Sequence, residues 1–185
     1  MPKLMSARDL GPMPLGRPME TVDQLFIHAT PEQIFAVVRE VENWPAHLPH
    51  YRFVRFREKS SDGGGLVEMS AYRPFPIAGP LSLSWPTWWL SEMSVDDRKL
   101  SIRFRHVGGI TKGMDVEWSF KRVRGGTQAT ILHVWDGPNL PLVGVYAATL
   151  VIGPVFIHGI ASRTLAGLAA VAERDARTES TSRVV

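Results

Sequence analysis

Between residues 51 and 135 the chain alternates extended, apolar-rich runs with short turn segments, and this spacing fixes how the runs can pair. "YRFVRFREK" meets "SSDGGG" and then "LVEMSAYR"; "PLSLSWPTWWLSEMSV" meets "DDRK"; "LSIRFRHV" meets "GGITKG"; "MDVEWSFKRV" meets "RGG" and then "TQATILHVW". A parallel pair needs a crossover of roughly a dozen residues or more, and these turns are too short to supply one. The runs are therefore expected to pair as antiparallel hairpins, about six strands in a meander. Ahead of them, "METVDQLFIH" reads as one more strand. "ATPEQIFAVVREV" reads as an amphipathic helix with Thr30 as N-cap, Pro31 at its first position, and Ile34, Val37, Val38 and Val41 at helical spacing. Pro45 and Pro49 break "NWPAHLPHYRF" into a short helical turn. A final helix covers "IHGIASRTLAGLAAVAERDA", with Ala161, Leu165, Leu168 and Ala172 along its apolar stripe.

A curved sheet of about seven strands must cover one apolar face, and the closing helix is the available cover. Period-two alternation names the face. Met114, Val116, Trp118 and Phe120 share a side, as do Leu100, Ile102, Phe104 and His106; Ala129, Ile131, His133 and Trp135; and Val67, Met69, Ala71 and Arg73. His106, His133 and Arg73 are thereby carried onto the covered face, and His158 on the closing helix joins them. An unpaired guanidinium is costly in a dry core. Several polar groups aimed into an apolar space suit a ligand pocket, while a single buried histidine is more often a satisfied core residue.

The remaining features narrow the function. The 185 residues suffice for one domain, 44% of them are hydrophobic, and the absence of cysteine excludes disulfides and thiolate chemistry. A net charge of +3 with dispersed basic residues gives no clustered face for nucleic acid. His47 and His50 in "HLPH" lack a third ligand, so no metal site is expected, and no cofactor motif is present; "SSDGGG" lacks the Lys of a phosphate loop. We expect an N-terminal arm over 1–18, a domain over 19–175 and a frayed tail over 176–185. A cytoplasmic setting fits, with peripheral membrane attachment open. The run from Gly137 to Ser162 has no Asp, Glu, Lys or Arg, yet Pro138, Pro141 and Pro154 with Gly144, Gly153 and Gly159 interrupt it as a membrane span.

The order of elements, the segment "PEQIFAVVREVENWPAHLPHYRFV" and the terminal "RTLAGLAAVAE" together resemble the START-like superfamily, also called SRPBCC or helix-grip proteins, over about Glu20 to Glu173. The nearest branches are the polyketide cyclase/dehydrase and ubiquinone-binding groups. The resemblance implies an α+β helix-grip fold with a cavity between sheet and long helix that holds a hydrophobic small molecule: a lipid, a quinone or a polyketide-like aromatic. It also leaves open a cyclase or dehydratase in which Arg73 orients the substrate, and a lipid or quinone carrier apposed to a membrane; a homodimer is open too. The expected lining is Met69, Ala71, Arg73, Trp85, Trp88, Phe104, His106, Met114, Trp118, Ile131, His133, Trp135, His158 and Leu165. Of the adjacent Trp88 and Trp89, alternation sends one inward and one outward.

Overall fold

The computed structural model describes residues 8–78, 81–137 and 157–182, with the backbone alone described at 73–78 and 81–85. The side chains of Arg73 and Trp85 therefore lie outside the described residues, as does most of the charge-free run beyond Gly137. Seven strands form one antiparallel sheet: β1 (Met19–Ile27), β2 (Tyr51–Lys59), β3 (Gly65–Ala78), β4 (Leu81–Asp96), β5 (Ser101–Gly109), β6 (Asp115–Val123) and β7 (Gly126–Trp135). Their spatial order is β1-β7-β6-β5-β4-β3-β2, so the six later strands form the expected meander and β1 closes onto its last member.

Between β1 and β2 lie α1 (Pro31–Arg39), a single 3-10 turn (Val41–Asn43) and α2 (Trp44–His47). Helix α1 starts where its capping chemistry requires: Thr30 Oγ1 accepts from the Gln33 backbone N–H, and the Gln33 side chain accepts from the Thr30 backbone N–H. Its stripe of Ile34, Phe35 and Val38 is buried. The closing helix α3 (His158–Ser182) lays Ala161, Thr164, Leu165, Leu168, Ala169 and Ala172 against the concave face. At Gly167 a Cβ would come within 2.2 Å of a Leu48 methyl, so glycine lets α3 cross directly over the end of α2.

Alternation is kept along the central strands: Ile102, Phe104 and His106 of β5 and Ala129, Ile131 and His133 of β7 are buried on the covered side. Trp44 is the hub beneath the helices, with ring centroids 5.5 Å from Tyr51, 6.4 Å from Phe104 and 5.7 Å from Trp118, while its Nε1–H donates to the Val38 carbonyl at 3.1 Å. Each such aromatic pair contributes about 0.5–1.5 kcal/mol beyond its buried area.

Both ends of the described chain carry structure of their own. The arm is docked from Arg8 to Gly11: Arg8 pairs with Glu58 and Glu92, Leu10 is buried, and Arg103 and Arg105 donate to the carbonyls of Gly11 and Leu10. Charged side chains on the outward face of the sheet give it anchors that composition alone does not reveal. At the other end α3 continues through Ser182, well past Ala172, the last residue of its buried stripe, with Ala176 still packed against the core and Glu179 accepting from Gln33.

Candidate functional site

Side chains from both layers converge on a cavity of about 80 Å³ between the sheet and α3. Its floor is Met69 from β3, Trp89 from β4, Phe104 and His106 from β5, Val116 and Trp118 from β6, and Ile131 and His133 from β7, with Met114 just ahead of β6. Its roof is Ile160, Ala161 and Thr164 of α3 with the preceding Ile157; Trp44, Tyr51 and Thr111 complete the wall. The volume is small. A cavity of about 150 Å³ holds a benzene ring, and drug-sized ligands occupy ~300 Å³ or more. A larger ligand therefore requires side chains to move, and Met69 and Met114 are the lining groups with the rotational freedom to do so.

None of the sixteen lining residues is Asp, Glu, Lys or Arg, and five carry Trp, Tyr or Phe rings. Among the described residues, the polar side chains of the lining gather at three places. His106 Nδ1 lies 2.6 Å from Thr111 Oγ1, and its ring stacks on Trp89. Thr164 gives its hydroxyl proton to the Ile160 carbonyl at 2.8 Å, and its Oγ1 also lies 3.4 Å from the Tyr51 hydroxyl oxygen and 3.1 Å from His50 Nε2. His133 is buried with Nδ1 3.4 Å from Thr21 Oγ1, and burial drives its pKa down to about 3. It is a neutral imidazole at physiological pH. Burial, and secondarily Arg163, also lowers the pKa of His50.

Seven of the residues expected from the sequence line this space: Met69, Phe104, His106, Met114, Trp118, Ile131 and His133. Ala71, Trp135 and Leu165 are buried beside it without lining it; Trp135 Nε1–H donates to the Lys112 carbonyl at 2.9 Å. Two expectations are corrected. Trp88 lies on the outward face, partly exposed, with Nε1–H donating to Glu68 Oε1 at 2.7 Å, and its neighbour Trp89 takes the inward position. His158 is turned out of the cavity to β1, where Nδ1 lies 2.5 Å from Asp23 Oδ1. The helix faces the cavity through Ile157, Ile160, Ala161 and Thr164, at three- and four-residue spacing that excludes position 158.

Tyr51, Trp44 and Thr111 are wall residues that strand periodicity does not find, because they belong to the start of β2, to α2 and to a turn. Asp23 was within reach: Met19, Thr21, Asp23, Leu25 and Ile27 alternate onto one side, and Asp23 is buried there with its pKa raised by desolvation, partly offset by His158.

Residues 27–153 match the family model described as polyketide cyclase / dehydrase and lipid transport. The chain belongs to that family. It is a START-like, helix-grip protein, as the element order implied. The START-like fold is shared with a Thermus thermophilus protein at 18% identity and a TM-score of 0.66, covering 83% of this chain and 97% of that one. A Streptomyces sp. R1128 protein titled Zhui aromatase/cyclase matches at 14% identity and 0.63, covering 84% and 94%. A Mycobacterium smegmatis START superfamily protein matches at 15% and 0.57, covering 86% and 97%. No curated protein matches the sequence significantly. Among the described residues, no helix of this START-like chain is long and apolar enough to cross a membrane.

Proposed function

We propose that this START-like protein binds an uncharged, ring-containing hydrophobic small molecule between its sheet and α3. The observation that carries the reading is the lining itself: aromatic and aliphatic walls, neutral polar groups at separate points, and no formal charge among the described residues. Burying an ionised carboxylate or ammonium there without a counter-charge costs several kcal/mol or more. A hydroxyl or carbonyl, by contrast, can hydrogen-bond with His133 or His106. A quinone or a phenolic polyketide-like aromatic meets these terms better than an ionised fatty acid.

A cyclase or dehydratase is the second reading, supported by the family match. Against it, an imidazole with a pKa of about 3 is a feeble general base near neutrality, and the described lining offers no carboxylate to partner it. The role of Arg73 in that chemistry falls outside the described residues. Native mass spectrometry of gently purified protein tests the binding reading. A co-purifying neutral apolar molecule, lost from Ala161→Phe, supports it. Mass equal to the bare chain in every preparation, with no uptake of added ligands, overturns it.

A further inference from the structure

Strands β3 and β4 outrun their neighbours. The last β2 partner of β3 is Ala71, paired with Tyr51, and the last β5 partner of β4 is Trp89, paired with Gly109. Among the described residues, from Tyr72 to Ala78 and from Leu81 to Pro86 the two strands pair only with each other. They form a two-stranded ribbon beyond the rest of the sheet, at the end that carries His106, Thr111 and Met114 of the cavity lining. Its sequence, "YRPFPIA" and "LSLSWP", carries Tyr, Phe, Ile, Trp and two Leu against a single charge, Arg73.

Among the described residues, no other strand pairs with either edge of this ribbon, and a bare strand edge ordinarily invites another strand. The prolines close them. The Tyr72 N–H donates to the His50 carbonyl on the β2 side at 2.7 Å, so in the Tyr72–Pro86 pair both residues direct their backbone groups away from each other. Pro86 thus stands at the free edge of β4. Alternation places Pro74 and Pro76 on the free edge of β3, ahead of the register shift between Pro76 and Ala78. Three edge positions that would offer N–H donors have none, which obstructs strand addition and lessens the cost of leaving water.

The base of the ribbon is built differently. Tyr72, Trp88 and Ile110 are large, exposed apolar side chains there. Arg52 lies over the Tyr72 ring at 5.5 Å, and Arg55 and Arg57 both reach Glu68 at 2.7 Å. This group holds three arginines and one carboxylate, leaving it net positive beside aromatic rings. An apolar tip sequence, donor-poor edges, an aromatic collar and an arginine base suit the interface of an anionic bilayer, where tryptophan and tyrosine sit at headgroup depth and arginine meets phosphate.

We propose that the β3–β4 ribbon docks this protein on anionic membranes, with Arg52, Arg55 and Arg57 at the headgroups and the cavity end facing the lipid. The proposal does not depend on which ligand the cavity takes, since attachment is read without ligand. The test is co-sedimentation of the full chain with phosphatidylcholine vesicles, with and without phosphatidylglycerol. The chain is expected to bind the anionic vesicles and to release at high salt. Arg52→Gln is expected to weaken attachment roughly fivefold, the equivalent of one basic residue at the surface. Phe75→Asp with Ile77→Asp is expected to weaken it roughly tenfold or more at an unchanged melting temperature. If that double variant unfolds, tryptophan quenching of the native chain by bromolipid decides: quenching on anionic vesicles only is expected. No attachment of the native chain, equal attachment to neutral vesicles, unchanged attachment of a folded ribbon variant, or a ribbon-dependent dimer in sedimentation that excludes vesicles overturns the proposal.

Discussion

The His106 imidazole lies nearly parallel to the Trp89 indole, with ring centroids 6.0 Å apart and planes 22° from coplanar, while its Nδ1 is held 2.6 Å from Thr111 Oγ1. One polar side chain is thereby oriented within an apolar wall, by a strand neighbour on one side and a turn residue on the other. Thr111 is itself almost fully buried.

Thr111→Val keeps the volume and removes the hydroxyl. The expected cost is about 1–3 kcal/mol, because a buried imidazole nitrogen loses its partner. Urea unfolding measures it, and ligand affinity should fall in parallel if His106 orientation matters to binding. A loss below the resolution of the fit would show that His106 is satisfied without Thr111.

The buried histidines set a pH dependence with a definite sign. His133 has a folded-state pKa of about 3, against about 6.5 when unfolded. Between those values the unfolded chain binds a proton that the folded chain refuses. This contribution to stability is complete above about pH 6.5 and is lost as pH falls, by up to about 1.4 kcal/mol per unit. His50, also shifted down, adds in the same direction. Asp23 works the other way: its raised pKa gives stability that is present at low pH and lost as pH rises through the folded value. Urea midpoints between pH ~7 and ~5 should fall for the native chain and fall less for His133→Phe. An identical slope in the variant would contradict the assignment.

Ala161 is the smallest side chain in the roof. Ala161→Phe should occupy the cavity at a stability cost of about 1–3 kcal/mol, the usual range for overpacking. A folded variant that still takes up ligand as the native chain does would place the binding elsewhere.

How far the sequence could be read depended on where each residue sits. Hairpin spacing and alternation led to the seven antiparallel strands and to seven lining residues, because strand period and turn length are local properties. Trp88 and His158 escaped for related reasons. Alternation says that Trp88 and Trp89 part company without saying which goes inward, and helical position says nothing about a first residue whose partner, Asp23, is more than a hundred positions away. Trp44, Tyr51 and Thr111 enter the wall through short helix, strand start and turn, where no period operates. The docking of Arg8 and Leu10 is likewise a long-range match of charge and apolar surface.

The central claim, an uncharged hollow between sheet and helix, is tested most directly by titrating protein labelled with 13C-methyl methionine. The probes are p-cresol and its anionic counterpart p-toluate, both single rings. Met69 and Met114 line the cavity, whereas Met19 and Met93 are buried without lining it. The account predicts saturable shifts of the Met69 and Met114 signals with p-cresol, and binding of p-toluate weaker by roughly tenfold or more. Shifts of equal size and affinity with the anion, or no response of either methionine to the neutral ring, would contradict it.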